Sequence, residues 1–235
     1  MGSRSRTDEE ITLFTTMRVR AEGGCRFWAD HLRRLEEGAE RFGLRVFSPA
    51  ELRHQVERAT KGIADARVRV RLSRDGPVEV EAQAYRPPVA PWILQPIAVS
   101  PDEDTVRHKT SRRAVYDEAT RRTAAGRVAL LTDFGGRYLE CAIANVFFVI
   151  GRRLLTPPSS APLLAGIARK RLFEAAPGLG FEVVETECTP ESVSRAEACL
   201  VTNALFGVHP VSEIVCRQSF EESGLARRLN LALAS

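Results

Sequence analysis

Apolar and polar positions recur along the chain with periods that change from segment to segment, and those changes mark the elements. ITLFTTMRVRAEGG reads as a β-rich segment closing in a Gly-Gly turn. In the following CRFWADHLRRLEEGAERFGL, Phe27, His31, Leu35 and Phe42 stand at helical spacing, which predicts an amphipathic helix. SPAELRHQVERATKGI predicts a second helix, with Ser48 as cap, Pro49 in the first turn, Glu51 three residues after the cap and Gly62 at the stop. ARVRVRLSR and VEVEAQAY alternate strictly and are joined by DGP, so they predict a hairpin.

The proline-rich RPPVAPW and the apolar ILQPIAVS interrupt this pattern, which places a boundary between two halves near residues 86 to 104. Downstream, GRVALLTDFGGRYLECAIANVFFVIGRRLLTPP predicts three short strands with turns at DFGG and GRR, and PLLAGIARKRLFEAAPGLG a helix punctuated at both ends. FEVVETEC is a further strand, TPESVSRA a short capped helix, and ACLVTNALFGVHPVSEI a buried strand running into an exposed turn. Helices concentrate in the first half and strands in the second, so the expected class is α+β. The expected domains are a small α/β unit over residues 1–100 and a larger β-rich unit over 101–235 that carries Lys109.

Composition narrows the function classes. The 235 residues, 44% hydrophobic and 27% charged, are ordinary for a globular protein. The net charge of +4 comes from arginines spread along the chain among acidic residues, not from a basic block, which argues against nucleic-acid binding. A basic binding module is nevertheless the alternative from another class. Five cysteines with no C-x-x-C pair indicate neither a disulfide framework nor a zinc site, so no metal is expected. The opening MGSRSRTDEE is polar and no apolar run reaches membrane-spanning length, so a cytoplasmic protein without a membrane partner is expected.

Against this background one residue stands out. The chain writes its positive charge as arginine and holds only three lysines, Lys61, Lys109 and Lys170. Lys61 and Lys170 fit a helix end and a solvated helix face. Lys109, in TVRHKTSRRAVYDEA, sits close in sequence to Arg107, Arg112 and Arg113, where crowding by cations favours the neutral, nucleophilic amine. Glu140 lies in an otherwise apolar strand pattern, where a carboxylate needs a cation or a protonated ring nitrogen. Gly166 opens a helix on Ile167 and Ala168, whose backbone N–H groups suit a phosphate. Thr202 and Asn203 end a strand with polar groups suited to an anion. Arg34, three residues after His31, can share its inward helix face. Lysine, carboxylate, arginine and two anion-holding tips are the groups that pyridoxal 5'-phosphate requires.

In order and spacing, LFTTMRV, HLRRLEEGAERFGL, HKTSRRAVYDEA, ECAIANVFF, LLTPP, LLAGIARKRL and TNALFGVHPV resemble the class IV aminotransferases, the fold-type IV pyridoxal-phosphate enzymes related to D-amino acid aminotransferase. The resemblance runs from about Leu13 to Val211. It implies a two-domain fold in which Lys109 holds the cofactor covalently and Glu140 pairs with the pyridinium nitrogen. Arg34, Ile167, Ala168, Asn203 and Ala204 would hold the phosphate, the last four partly through main-chain amides. Asn145 matches a family asparagine that shapes its strand, and Arg169 matches a residue with a structural role. TNALFGVHPV and HKTSRRAVYDEA are more similar to the aminodeoxychorismate lyases of the family than to its transaminases. A small-molecule substrate and a homodimer are implied, with transamination of D-amino or branched-chain amino acids as the alternative reaction. Two places depart from the family pattern: only MGSRSRTDEEI stands where members usually have a strand and a Gly-Asp-Gly turn, and the hairpin LSRDGPVEV is short.

Overall fold

The computed structural model describes residues 11–44, 47–102, 106–221 and 223–234. The polar opening MGSRSRTDEE and Thr105 of the lysine segment lie outside the described residues. Two compact units share the chain: Met1–Arg86 with His108–Arg112, and Pro87–Arg107 with Arg113–Ser235. This division differs from the expected one. The second unit starts at the Pro87-Pro88 pair, and Lys109 packs with the first unit because its segment adds to a strand edge. Phe14 donates its amide to the Lys109 carbonyl at 2.9 Å, and Ser111 donates to the Thr12 carbonyl at 2.7 Å.

In the first unit, strands β1 (Leu13–Arg20), β2 (Gly24–Cys25), β3 (Asp65–Leu72) and β4 (Glu79–Ala84) form an antiparallel sheet in the order β2-β1-β3-β4. The strict alternation of β3 works as the pattern predicts. Ala66, Val68, Val70 and Leu72 are buried, while Arg67, Arg69 and Arg71 take the other face. Helices α1 (Trp28–Phe42) and α2 (Pro49–Thr60) supply Leu35, Ala39, Leu52 and Val56 to that core. Ser48 accepts the Glu51 amide at 3.3 Å, as its capping position requires. Gly38 lets α1 lie close on β1: a Cβ there would stand 2.7 Å from Leu13 Cδ1.

The second unit is built on a curled mixed sheet. Its strands are β5 (Trp92–Ala98), β6 (Val128–Thr132), β7 (Tyr138–Cys141), β8 (Asn145–Ile150), β9 (Arg153–Thr156), β10 (Glu182–Glu185), β11 (Ala198–Asn203), β12 (Gly207–Ile214) and β13 (Gln218–Ser219). They run in the order β10-β9-β8-β11-β12-β5-β6-β7, with β13 on β12. Its described residues include the α-helices α3 (Ala114–Arg121), α4 (Ile167–Ala175) and α5 (Leu225–Ala232).

Two local expectations are corrected, and one element was not anticipated. The stretch from Val128 to Thr156 holds four strands, not three, because Cys141 and Ala144 close a tight turn with no polar turn residue to announce it, their amides exchanging bonds at 2.7 and 3.3 Å. TPESVSRA forms turns and no α-helix. Thr189 and Ser192 do cap each other's amides, at 2.8 and 3.1 Å, but Ser194 Oγ then takes the Glu191 carbonyl, a local bond that competes with helix propagation. Finally, α5 had no expected counterpart. It is fixed by Asn230, whose side chain bonds both the amide and the carbonyl of Val208.

Candidate active site

The functional side chains fall into two groups, one in each unit. In the first unit, Lys109 is half-buried and its Nζ stands 4.9 Å from the centroid of the Phe14 ring, a cation–π distance. The guanidinium of Arg69 lies 4.6 Å from the same centroid, so two cations share one aromatic ring. Arg34 is half-buried on α1, one turn beyond His31. His31 is fully buried, with Nδ1 2.7 Å from Thr15 Oγ1. Burial above all, then the positive charge of Arg34, push its pKa down to about 3; the Asp30 charge opposes them, and the charge of Lys109 adds the smallest push downward. His31 is therefore a neutral ring at the centre of this group, and its Nε2 is buried without a hydrogen-bond partner among the described residues.

In the second unit the centre is Glu140, buried on β7. Its Oε1 accepts from the Tyr116 hydroxyl at 2.7 Å and from the Leu164 amide at 2.9 Å, and its Oε2 accepts from Asn145 Nδ2 at 3.2 Å. Burial and then the Glu140 charge hold the Tyr116 hydroxyl protonated, far above the usual phenol range. Donors of this kind favour the ionised carboxylate over the acid.

Two of the segments expected to hold a phosphate, the lead into α4 and the end of β11, both meet Asn145. Asn145 also donates to the Leu164 carbonyl at 2.8 Å, which ties Glu140 to the segment leading into α4. Gly166 caps that helix with no side-chain bond, and a Cβ on it would lie 2.1 Å from Asn145 Oδ1, so the position excludes any side chain. The amides of Ile167 and Ala168 fall in the first turn of α4, where no intrahelical acceptor exists. On β11, Thr202 lies directly across from Asn145 and its Oγ1 is buried with no partner among the described residues. Asn203 bonds back into its own turn: Oδ1 accepts the amides of Leu205 and Phe206, and Nδ2 donates to the Ile143 carbonyl at 3.2 Å. Its side chain thus shapes the loop that carries Ala204, which leaves main-chain groups to meet an anion. Arg169 is buried and bonds the Pro157 carbonyl and Glu185, which anchors α4 to the sheet.

The buried carboxylate, the uncapped helix start, the side-chain-free Gly166 and the unpartnered Thr202 hydroxyl fit pyridoxal 5'-phosphate, with its ring nitrogen and its phosphate. Sequence reasoning missed Tyr116, Arg69 and Thr15. Tyr116 meets its partner across 24 positions of chain, Arg69 sits in an alternating arginine run that reads as solvated, and Thr15 looks like any strand threonine. Among the described residues no cluster of three or more His, Cys, Asp or Glu is placed to hold a metal, and no helix is long and apolar enough to cross a membrane.

Residues 12–214 match the family profile described as amino-transferase class IV, and the chain belongs to that family. It is a family of pyridoxal-phosphate enzymes, so pyridoxal 5'-phosphate is the cofactor. The chain is 29% identical over 175 residues to the "Putative aminodeoxychorismate lyase" of Schizosaccharomyces pombe, covering 71% of this chain and 74% of that protein. It is 30% identical over 135 residues to the "Probable branched-chain-amino-acid aminotransferase" of Rickettsia felis, covering 55% of this chain and 46% of that one. The branched-chain relatives are longer, and the matched stretch spans between 23% and 46% of the first of them. The fold matches that of a crystal structure titled as a "Putative 4-amino-4-deoxychorismate lyase" of Legionella pneumophila, with a TM-score of 0.84 at 22% identity over 99% of this chain and 94% of that one. The two-unit α+β architecture is thus that of the fold-type IV enzymes.

Proposed function

We propose that this protein is an aminodeoxychorismate lyase, which releases pyruvate from 4-amino-4-deoxychorismate and leaves 4-aminobenzoate, a folate precursor. The observation that carries the pyridoxal-phosphate chemistry is the buried Glu140 carboxylate, hydrogen-bonded by Tyr116, Asn145 and the Leu164 amide. The choice of lyase within the family rests on the TNALFGVHPV loop and the HKTSRRAVYDEA segment. It is supported by the match to the S. pombe protein, which spans most of both chains.

Lys109 would hold the cofactor covalently and, as a free amine, would be the base that takes the proton from the substrate carbon bearing nitrogen. Bound pyridoxal 5'-phosphate supplies the sink for the electron pair left behind. Glu140 keeps the ring nitrogen protonated. Arg34, with the main-chain amides of Ile167, Ala168, Asn203 and Ala204, holds the phosphate. The Lys109 ammonium then gives its proton to the departing enolpyruvyl group, which leaves as pyruvate while the ring becomes aromatic. That aromatisation makes the step effectively one-way. We propose further that the enzyme is a homodimer, as the resemblance implies, and that it acts in the cytoplasm.

The second reading is a class IV aminotransferase, favoured by the branched-chain relatives. The two differ in what they need. The lyase would end every cycle with Lys109 again holding a cofactor at the aldehyde level, so it yields pyruvate and 4-aminobenzoate continuously from 4-amino-4-deoxychorismate with no keto acid present. A transaminase given only an amino donor stops after one half-reaction. Sustained pyruvate release without an acceptor is the expected result. Rapid bleaching of the cofactor band by D-alanine or L-leucine, reversed by a keto acid and with no pyruvate from aminodeoxychorismate, would assign the protein to the transaminases.

A further inference from the structure

We infer that Tyr116 is a positioning residue for this chemistry, fixing both the orientation and the ionisation of Glu140 through its hydroxyl. The inference rests on reading Glu140 as the carboxylate that meets the cofactor's ring nitrogen. Tyr116 sits in the first turn of α3 and is only 7% exposed, with its hydroxyl 2.7 Å from Glu140 Oε1. A buried hydroxyl is costly unless it is bonded, and phenylalanine would fill the same space without that requirement. The hydroxyl is therefore what the position adds. It donates to the same oxygen as the Leu164 amide, while Asn145 donates to the other, so the carboxylate is gripped on both oxygens and cannot rotate without breaking a bond.

The tyrosine is itself held. The Arg113 guanidinium lies 4.7 Å from the centroid of its ring, and Arg113 Nη2 donates to the Ala142 carbonyl at 3.0 Å, two residues past Glu140. One arginine thus clamps the Tyr116 ring and grips the turn that follows the carboxylate. A neutral donor this close favours the anion over the acid, and an anion is what holds a pyridine nitrogen protonated. The geometry gives α3, which begins five residues after Lys109, a direct bond to the strand that carries the carboxylate.

The test is Tyr116→Phe beside Glu140→Gln, each loaded with pyridoxal 5'-phosphate labelled with nitrogen-15 in the ring. For Tyr116→Phe the ring-nitrogen resonance should move toward its unprotonated position, which needs no substrate to observe. Turnover of aminodeoxychorismate should fall about ten- to a hundred-fold, as loss of a hydrogen bond to a charged group predicts, while KM changes little. The melting temperature should fall by only a few degrees, since the ring remains and the Leu164 amide still meets Glu140 Oε1. A wild-type resonance and turnover in Tyr116→Phe, with both lost in Glu140→Gln, would overturn the role of Tyr116 and leave the reading of Glu140 intact. Unchanged behaviour in both variants would overturn both. If Tyr116→Phe does not fold, 3-fluorotyrosine at position 116 gives the same decision: its fluorine resonance moves when cofactor is added if the hydroxyl serves the carboxylate, and its immobility overturns the inference.

Discussion

His31 shows how a residue can be chemically silent and still bear on the site. It is fully buried, hydrogen-bonded to Thr15, and held neutral by burial and by the charges of Arg34 and Lys109. Its folded pKa of about 3 lies below the ordinary value of 6.5. Between these values the unfolded chain binds a proton that the folded chain does not, so stability is lost as pH falls through that window. The loss from this one group is about 1.4 kcal/mol per pH unit. His31→Asn keeps an acceptor near Thr15 and cannot titrate. Its stability, measured by denaturant unfolding at several pH values below 6.5, should therefore fall less steeply than that of the wild type. Equal slopes would show that His31 is not the titrating group. At this scale the sequence revealed most where a residue broke its local pattern. Lys109 broke an arginine bias and Glu140 an apolar strand. Tyr116, Thr15 and Arg69 broke nothing, because each is an ordinary residue in its own element and gains meaning only from a partner far along the chain.

At the scale of elements, the join of β8 and α4 carries the proposed phosphate end of the site. Asn145 is bonded to Glu140 and to the Leu164 carbonyl, and its Oδ1 fills the space where a side chain on Gly166 would go. Gly166→Ala forces one of these to move. Overpacking of this kind costs roughly 1–3 kcal/mol, and here it falls on the proposed cofactor site. Cofactor affinity, measured by fluorescence titration of the apoprotein, should weaken about ten- to a hundred-fold, and the double variant Gly166→Ala with Asn145→Ala should not weaken affinity by the sum of the two single changes. Additive losses would show that the two residues do not meet. Elements whose signals are local were legible, such as the Ser48 cap, the DGP hairpin and the glycine-led α4. The turn at Cys141–Ala144 was not, because its residues are apolar and its geometry is set by the pairing of β7 with β8. TPESVSRA misled for the opposite reason: its capping pair is real, but the bonds it makes are satisfied within single turns.

At the scale of the whole molecule, the chain divides between two units, and the lysine segment crosses from one to the other. Residues 108–112 belong to the first unit and Arg113 onward to the second. The proline-rich stretch marked the start of the second unit, but no local signal told that the backbone around Lys109 would bond to β1, since edge pairing leaves no periodicity in five residues of chain. On the proposed function, Lys109 is the residue that takes up the cofactor. Reduction of the holoenzyme with borohydride, followed by digestion and mass spectrometry, tests it directly, since the hydride fixes the cofactor to whichever amine holds it. The predicted result is one pyridoxyl phosphate group on the peptide containing Lys109, lost in Lys109→Ala, which should also lose nearly all turnover with the removal of a general base worth roughly 10²–10⁴. Labelling of Lys61 or Lys170 in its place, or turnover close to wild type in Lys109→Ala, would contradict it.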